Sequence, residues 1–325
     1  MILFLFASFS AQAQVAGTAG AGCGYSTVAA AVAGEPAYST IYVAPDGGSA
    51  HVGPVVVVDK AITVKAGNAL CDAPTATPVA LSGGSANQVF DIESGGDLVL
   101  EHVSLTKGIA PPGIDNAGGL MRVRSGGRVE WTDGAVSLGS AAVGGCIAVE
   151  GEAVFTDLWA GAQCDATQNG GVIGLGGDQD GVGSVTLVDG DIRGSASSLG
   201  GAISSAVLPE YGRPSLTVRD TVIDQSTATQ GGCVYLSNAD ATFENTEFRR
   251  CNATGGAGQG GALAALDNAD VDVRGNEPVR AERRRHRRWR DPRGRRHGGA
   301  VQYYDYRYGA VPEHGGAGGR YPPLW

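Results

Sequence analysis

The feature that most constrains this chain is a Gly-Gly pair that recurs six times at a nearly constant spacing. Each pair is followed by two small or apolar residues, and successive pairs begin 26, 26, 30, 31 and 29 residues apart. A repeat at this period predicts a solenoid, because one unit cannot bury its own apolar face and must stack on its neighbours. The copies are Gly118-Gly119-Leu120-Met121, Gly144-Gly145-Cys146-Ile147, Gly170-Gly171-Val172-Ile173, Gly200-Gly201-Ala202-Ile203, Gly231-Gly232-Cys233-Val234 and Gly260-Gly261-Ala262-Leu263.

Each unit holds about three short runs of apolar and β-branched residues. In one unit these runs are Leu120-Met121-Arg122-Val123, Val129-Glu130-Trp131 and Ala135-Val136-Ser137-Leu138, divided by turn residues. A period of two, with no helical segment between the runs, predicts an all-β, right-handed parallel β-helix over residues 86–275. Gly-Gly is expected at a corner that needs a positive φ and room for the corners above and below.

The N-terminal region is expected to close the start of the stack. An Ala-rich stretch over 26–33, capped by Ser26 or Thr27, predicts a short helix, so residues 14–85 form a cap and the first coils. Residues 1–13 are predicted to be a signal peptide, because a short apolar run precedes Ala11-Gln12-Ala13. The alternative is a buried N-terminal strand. No stretch approaches the roughly 20 apolar residues of a transmembrane helix, so the predicted location is secreted or at the cell surface or outer membrane.

Six cysteines in an exported chain suggest disulfide bonds. Cys146 and Cys164 are 18 residues apart, as are Cys233 and Cys251, and the first cysteine of each couple directly follows Gly-Gly. Because both couples occupy the same positions within their repeats, we predict Cys146–Cys164 and Cys233–Cys251 bonds. Each bond would lie where the last strand of a coil approaches the start of that coil. The remaining two, Cys23 and Cys71, are predicted to tie down the cap. The alternative is that the four cysteines of the repeats are buried and reduced.

The last fifty residues differ in charge from the rest. Residues 276–325 hold 12 Arg and 5 Asp or Glu, a charge of +7 in a chain of −9, which leaves −16 on the remainder. Such an acidic body argues against specific nucleic acid binding. The tail could be a basic arm for an anionic partner. Our hypothesis is instead that this Arg- and Gly-rich segment is translated from a shifted reading frame. Under either reading it is expected to be disordered.

Two stretches of sequence resemble known families. Phe243-Glu244-Asn245 with Gly260-Gly261-Ala262-Leu263, and Gly200-Gly201-Ala202-Ile203, resemble the paired FxxN and GGA(I/L) repeats of chlamydial-type polymorphic outer membrane proteins. The opening segment over 27–45 is similar to the start of pectin-lyase-like β-helix proteins. The first resemblance implies a surface-exposed adhesin of the Gram-negative outer membrane, with a glycan or a protein as its ligand.

The function expected from these observations is a binding or structural module, an adhesin-like passenger without a cofactor. Its ligand is expected to meet the outer sheet faces and two insertions that lengthen coils, near 176–183 and 206–214, because insertions in solenoids cluster on one face. The alternative is a polysaccharide lyase or glycoside hydrolase of the pectin-lyase-like fold, which would use paired carboxylates and, for a lyase, Ca²⁺. Its candidate residues are Asp178, Asp180, Asp189, Asp191 and Arg193. Asp189 and Asp191 are expected to lie on one face of a single strand, with Arg219 stacked one coil later. Such residues are also ordinary on the solvated face of an acidic β-helix, so a non-enzymatic function is favoured.

Overall fold

The structure, a computed structural model, describes residues 12–15, 23–113, 116–161, 163–178, 181–193, 195–206, 212–255, 260–275 and 302–304. Within those ranges it contains one short helix and thirty strands. In chain order they are β1 (Gln12–Val15), α1 (Val28–Gly34), β2 (Ser39–Val43), β3 (His51–Val52), β4 (Val56–Val58), β5 (Ala61–Ala66), β6 (Val79–Ser82), β7 (Phe90–Ile92), β8 (Asp97–Glu101), β9 (Val103–Ile109), β10 (Met121–Val123), β11 (Arg128–Val143), β12 (Ile147–Val149), β13 (Glu152–Ala160), β14 (Cys164–Asn169), β15 (Ile173–Leu175), β16 (Gly177–Asp178), β17 (Gly181–Val182), β18 (Ser184–Val188), β19 (Asp191–Arg193), β20 (Ile203–Ala206), β21 (Ser215–Arg219), β22 (Val222–Asp224), β23 (Thr227–Ala228), β24 (Val234–Ser237), β25 (Asp240–Glu244), β26 (Glu247–Arg249), β27 (Asn252–Ala253), β28 (Leu263–Leu266), β29 (Asp270–Arg274) and β30 (Gln302–Tyr304).

The strands form three faces, and within each face a strand pairs in parallel with its counterpart one coil away. Face 1 consists of β4, β7, β10, β12, β15, β20, β24 and β28. Face 2 consists of β2, β5, β8, residues 128–132 of β11, residues 152–156 of β13, β18, β21, β25 and β29. Face 3 consists of β3, β6, β9, the remainders of β11 and β13, β14, β19, β22, β23, β26 and β27. This arrangement is a parallel β-helix, as the repeats predict.

Every second residue of a strand points into the interior, and residues at the same inward position stack on one another from coil to coil. Leu100, Trp131 and Phe155 lie in register in successive coils of face 2, and at most 1% of each is exposed. The rings of Trp131 and Phe155 pack edge to face with centroids 6.2 Å apart. Trp131 Nε1 donates to the Val103 carbonyl at 3.1 Å, so its one polar group is satisfied in the core. The core is therefore continuous along the stack, in spite of the low aromatic content.

The Gly-Gly pairs lie at the corner that leads into face 1, and the two glycines have different tasks. The first glycine of each pair has a φ between +59° and +65°. The second does not, but a Cβ atom on Gly145 would overlap the carbonyl oxygen of Gly171 in the next coil. The same overlap would occur between the second glycines of the other neighbouring pairs. The predicted need for positive φ and for close stacking is confirmed, with one glycine serving each requirement.

All six cysteines form disulfides in the predicted pairing. The Cys146–Cys164 and Cys233–Cys251 bonds have Cα–Cα distances of 5.1 Å, and each joins the beginning of a coil to its end. Cys23–Cys71 links the segment before α1 to the loop after β5. Because all six sulfurs are paired, the alternative of buried reduced cysteines is wrong.

The two ends of the stack are each covered by a short element. The predicted cap helix is α1, and the side chain of Thr27 caps it by accepting a hydrogen bond from Ala30 N at 3.1 Å. Strand β1 pairs with β2 in parallel, at the edge of the region assigned to the signal peptide. At the other end β30 pairs antiparallel with β28. Three residues of the tail expected to be disordered thus form a strand on an otherwise unpaired edge; residues 276–301 and 305–325 lie outside the described residues.

Candidate functional site

A cleft of about 330 Å³ lies on the outside of the stack beside face 1. Its floor is formed by outward-facing residues of adjacent strands, Ala148 on β12 and Gly174 on β15. One side is bordered by Gly113 and Asn116, and the other reaches Gly176, directly before β16. A volume in this range suits a small ligand or one unit of a polymer.

The charged side of the cleft is an ion pair between Arg122 on β10 and Glu150 after β12. Arg122 Nη2 donates to Glu150 Oε1 at 3.0 Å and Oε2 at 3.1 Å, and Nε donates to Oε2 at 3.3 Å. The two side chains are only 11% and 17% exposed. Because both groups are largely removed from water, the hydrogen bonds between them compensate for lost contacts with solvent. The pair therefore presents a fixed donor and acceptor edge rather than two free charges.

The opposite side of the cleft carries carboxamide side chains. Asn116 Oδ1 accepts from Ala142 N at 2.6 Å, which fixes Asn116 against the end of β11. Gln168 and Asn169, from the end of β14, continue this side. The floor stays low because Gly174 has no side chain; a Cβ there would lie 2.7 Å from Val143 Cγ1. Amides opposite a guanidinium–carboxylate pair can bind a polar ligand by hydrogen bonds.

The predicted insertion over 176–183 is confirmed as a small antiparallel hairpin of β16 and β17. It interrupts the path from face 1 to face 2 and begins directly after Gly176, which lines the cleft. Asp178 pairs through its backbone with Gly181, and Asp180 lies outside the described residues. The second predicted insertion, over 206–214, also lies largely outside them.

The three other predicted residues are placed around one corner. Asp189 lies between β18 and β19 with a φ of +53°, so the chain turns there. The expectation that Asp189 and Asp191 share one face of a single strand is therefore wrong. Arg219 does follow one coil later, since Asp189 N donates to its carbonyl at 3.1 Å. Its guanidinium Nε lies 3.4 Å from Glu244 Oε2, in an ion pair of its own.

Asp191 and Arg193 form an ion pair with each other on β19. Arg193 Nε donates to Asp191 Oδ1 at 2.7 Å, and Nη2 donates to Oδ2. The hydrogen bond to Asp191 raises the pKa of the Arg193 guanidinium above its ordinary value, although partial burial opposes this. A guanidinium held in this way is a poor general base, because it keeps its proton.

The Arg122–Glu150 pair was not predicted from the sequence. Both residues were visible as charged positions in runs that follow Gly-Gly, but 28 residues separate them. The stacking of coils brings them together, since Arg122 and Ala148 are register partners and Glu150 lies two residues further. An explicit alignment of the repeats on Gly118 and Gly144 would have placed Glu150 two positions beyond Arg122, within reach of its long side chain.

Neither a known family model nor the sequence of any curated protein matches this chain. Among the described residues, no group of three or more His, Cys, Asp or Glu is arranged to hold a metal ion. The same part of the chain contains no helix with the length and apolar character required to span a bilayer.

Proposed function

We propose that this protein is exported to the cell surface and acts there as a binding or structural module, an adhesin-like passenger. The observation that carries the proposal is the cleft on the outside of the β-helix, where the Arg122–Glu150 pair faces Asn116, Gln168 and Asn169. These groups offer hydrogen bonds in a fixed arrangement on a rigid scaffold, as recognition of a polar surface ligand requires.

The disulfides support export. Three bonds in one chain, with every cysteine paired, are typical of proteins that fold in an oxidising compartment. The resemblance to repeats of polymorphic outer membrane proteins supports a surface location in a Gram-negative bacterium.

The lyase or hydrolase alternative has less support. It requires carboxylates that converge on one bond, but Asp189 lies at a corner, while Asp191 is occupied by Arg193. Incubation of the full chain with polygalacturonate and neutral polysaccharides, with and without Ca²⁺, tests the alternative. New unsaturated products or reducing ends, abolished by Asp191→Ala, would favour the enzyme over the binding module.

Surface exposure and binding test the proposal directly. On cells that produce the full chain, externally added protease should remove it while a periplasmic marker stays intact. The purified full chain should be retained on immobilised mucin or on an immobilised protein such as gelatin. An intracellular location, or no retention on either surface, would contradict the proposal.

A charge-neutral variant of the cleft tests whether the cleft binds the ligand. Arg122→Gln with Glu150→Gln changes both partners together, so neither charge is left buried alone, and we expect retention to weaken at least about tenfold. The matched control is Arg124→Gln with Asp91→Asn, because this pair also joins neighbouring strands of face 1 (2.8 Å for Nε to Oδ1) but does not line the cleft. Equal loss of retention in both double variants would show that the cleft does not bind the ligand.

A further inference from the structure

Trp159 is exposed on face 3, away from the cleft. It is 41% exposed, whereas Trp131, in the preceding coil, is 1% exposed. Gly161, two residues further along the chain, is covered by the indole: a Cβ there would lie 2.5 Å from Trp159 Cη2 and 2.6 Å from Cζ3. The six-membered ring thus rests over the backbone of Gly161. One side of the indole faces the sheet and the other is open to solvent.

The neighbours of Trp159 on face 3 differ on its two sides. In the coil before, its register partner is Ala135, a small residue that leaves the ring uncovered. In the coil after, its register partner is Asp191, whose carboxylate is held by Arg193. Arg193 in turn is in register with Asp224, a buried carboxylate that pairs with Arg250 at 2.8 Å. The aromatic surface is therefore bordered on one side by a row of fixed polar groups.

We propose that Trp159, Gly161, Asp191 and Arg193 form a binding platform for a pyranose ring of a neutral glycan. A pyranose has an apolar face of C–H groups and a rim of hydroxyl groups. The apolar face can cover the open side of the indole, and burial of both removes apolar area from water. At the rim, hydroxyls can donate to the Asp191 carboxylate and accept from the guanidinium of Arg193, two groups whose geometry is already set.

The charge of the platform selects for a neutral sugar. The carboxylate of Asp191 and the guanidinium of Arg193 neutralise each other. The nearby guanidiniums of Arg249 and Arg250 are paired with Glu247 and Asp224, so every positive charge around the platform has a carboxylate partner and attracts a uronic or sialic acid only weakly. An acidic sugar would need Arg193 to exchange Asp191 for a new partner. The platform lies on face 3 and the cleft beside face 1, so the inference is independent of the proposed role of the cleft.

Titration of the full chain with neutral oligosaccharides tests the platform. The probes are β-linked oligomers of glucose, galactose and N-acetylglucosamine, with oligogalacturonate as the acidic comparison, followed by calorimetry. At least one neutral oligomer should bind, and Trp159→Ala should weaken it at least about tenfold, as loss of a stacked aromatic anchor does. Asp191→Ala should weaken it by a smaller factor.

The matched control is Ile109→Ala, which removes another exposed apolar side chain of face 3 (42% exposed) away from the platform. It should leave affinity unchanged. A second readout uses the full chain with Trp289→Phe and Trp325→Phe, which leaves Trp131 and Trp159: bound oligomer should protect the exposed Trp159 from acrylamide quenching. Binding by no neutral oligomer, tighter binding of oligogalacturonate, or unchanged affinity in Trp159→Ala would overturn the inference. Loss of cleft-dependent retention alone would overturn the proposed function and leave the platform standing.

Discussion

Two corners of the coils share a left-handed backbone conformation but are built from different residues. At the corner into face 1, the first residue of every Gly-Gly pair has a φ near +60° and is glycine. At the corner from face 2 to face 3, the φ values are equally positive. There the residues are His102, Asp133, Asp157, Asp189, Asp220 and Asn245, with φ between +49° and +53°.

The difference shows that positive φ alone does not require glycine. Asp and Asn tolerate the left-handed region at modest cost. Glycine is required where a neighbouring backbone occupies the place of a Cβ, as the Gly171 carbonyl does for Gly145. The corner into face 1 is packed backbone against backbone, while the other corner is open to solvent, with Asp157 and Asp133 exposed.

The largest effect should come from the packed corner. Gly145→Ala places a methyl group on the Gly171 carbonyl and on the backbone of Asp165, so the coils must separate. We expect a loss of more than about 4 kcal/mol in the free energy of unfolding, or failure to fold. Urea unfolding followed by circular dichroism measures it. Gly53→Ala is the control, since a Cβ at Gly53 meets no atom within 4 Å. Equal effects of the two substitutions would break the comparison.

Removal of the covalent link at the same corner should have an intermediate effect. Cys146→Val with Cys164→Ser copies the next coil, where Val172 follows Gly-Gly and Ser195 occupies the position of Cys164. Loss of a bond that closes an 18-residue loop should cost about 3 kcal/mol. Comparison of the urea unfolding midpoints of the double variant and the parent measures this loss. A larger loss than in Gly145→Ala would mean that the covalent bond, rather than the fit of the backbones, holds the corner.

The smallest effect should come from the open corner. Asp157→Ala keeps the positive φ but loses a residue type that tolerates it, so we expect a loss of about 1 kcal/mol. Asp157→Gly should stay within about 0.5 kcal/mol of the parent, because glycine adopts this φ without strain. The same unfolding experiment applies. If Asp157→Ala lowered the free energy of unfolding by more than loss of the disulfide does, the open corner would have to be packed against other residues.

The sequence predicts the packed corner well and the open corner poorly. Gly-Gly and the cysteines 18 residues apart fix the start and end of a coil, so the strands and disulfides follow. The open corner is hidden because Asp occurs equally on solvated strands. Continued alternation from Phe155 would place Trp159 inside; the turn at Asp157 shifts the phase by one residue, so Leu158 and Ala160 are buried and Trp159 faces outward. Asp189 was misplaced for the same reason.

Distances between spin labels along face 2 test the central claim, that each strand stacks on its counterpart one coil away. All six native cysteines are in disulfides, so Thr63→Cys with Thr242→Cys, and Thr63→Cys with Thr186→Cys, each supply two free thiols. The register places these pairs six and four strand spacings apart, about 29 and 19 Å between Cα atoms. The stacked coil predicts two narrow distributions that differ by about 10 Å. Equal distances, or a shorter distance for the pair further apart in sequence, would contradict it.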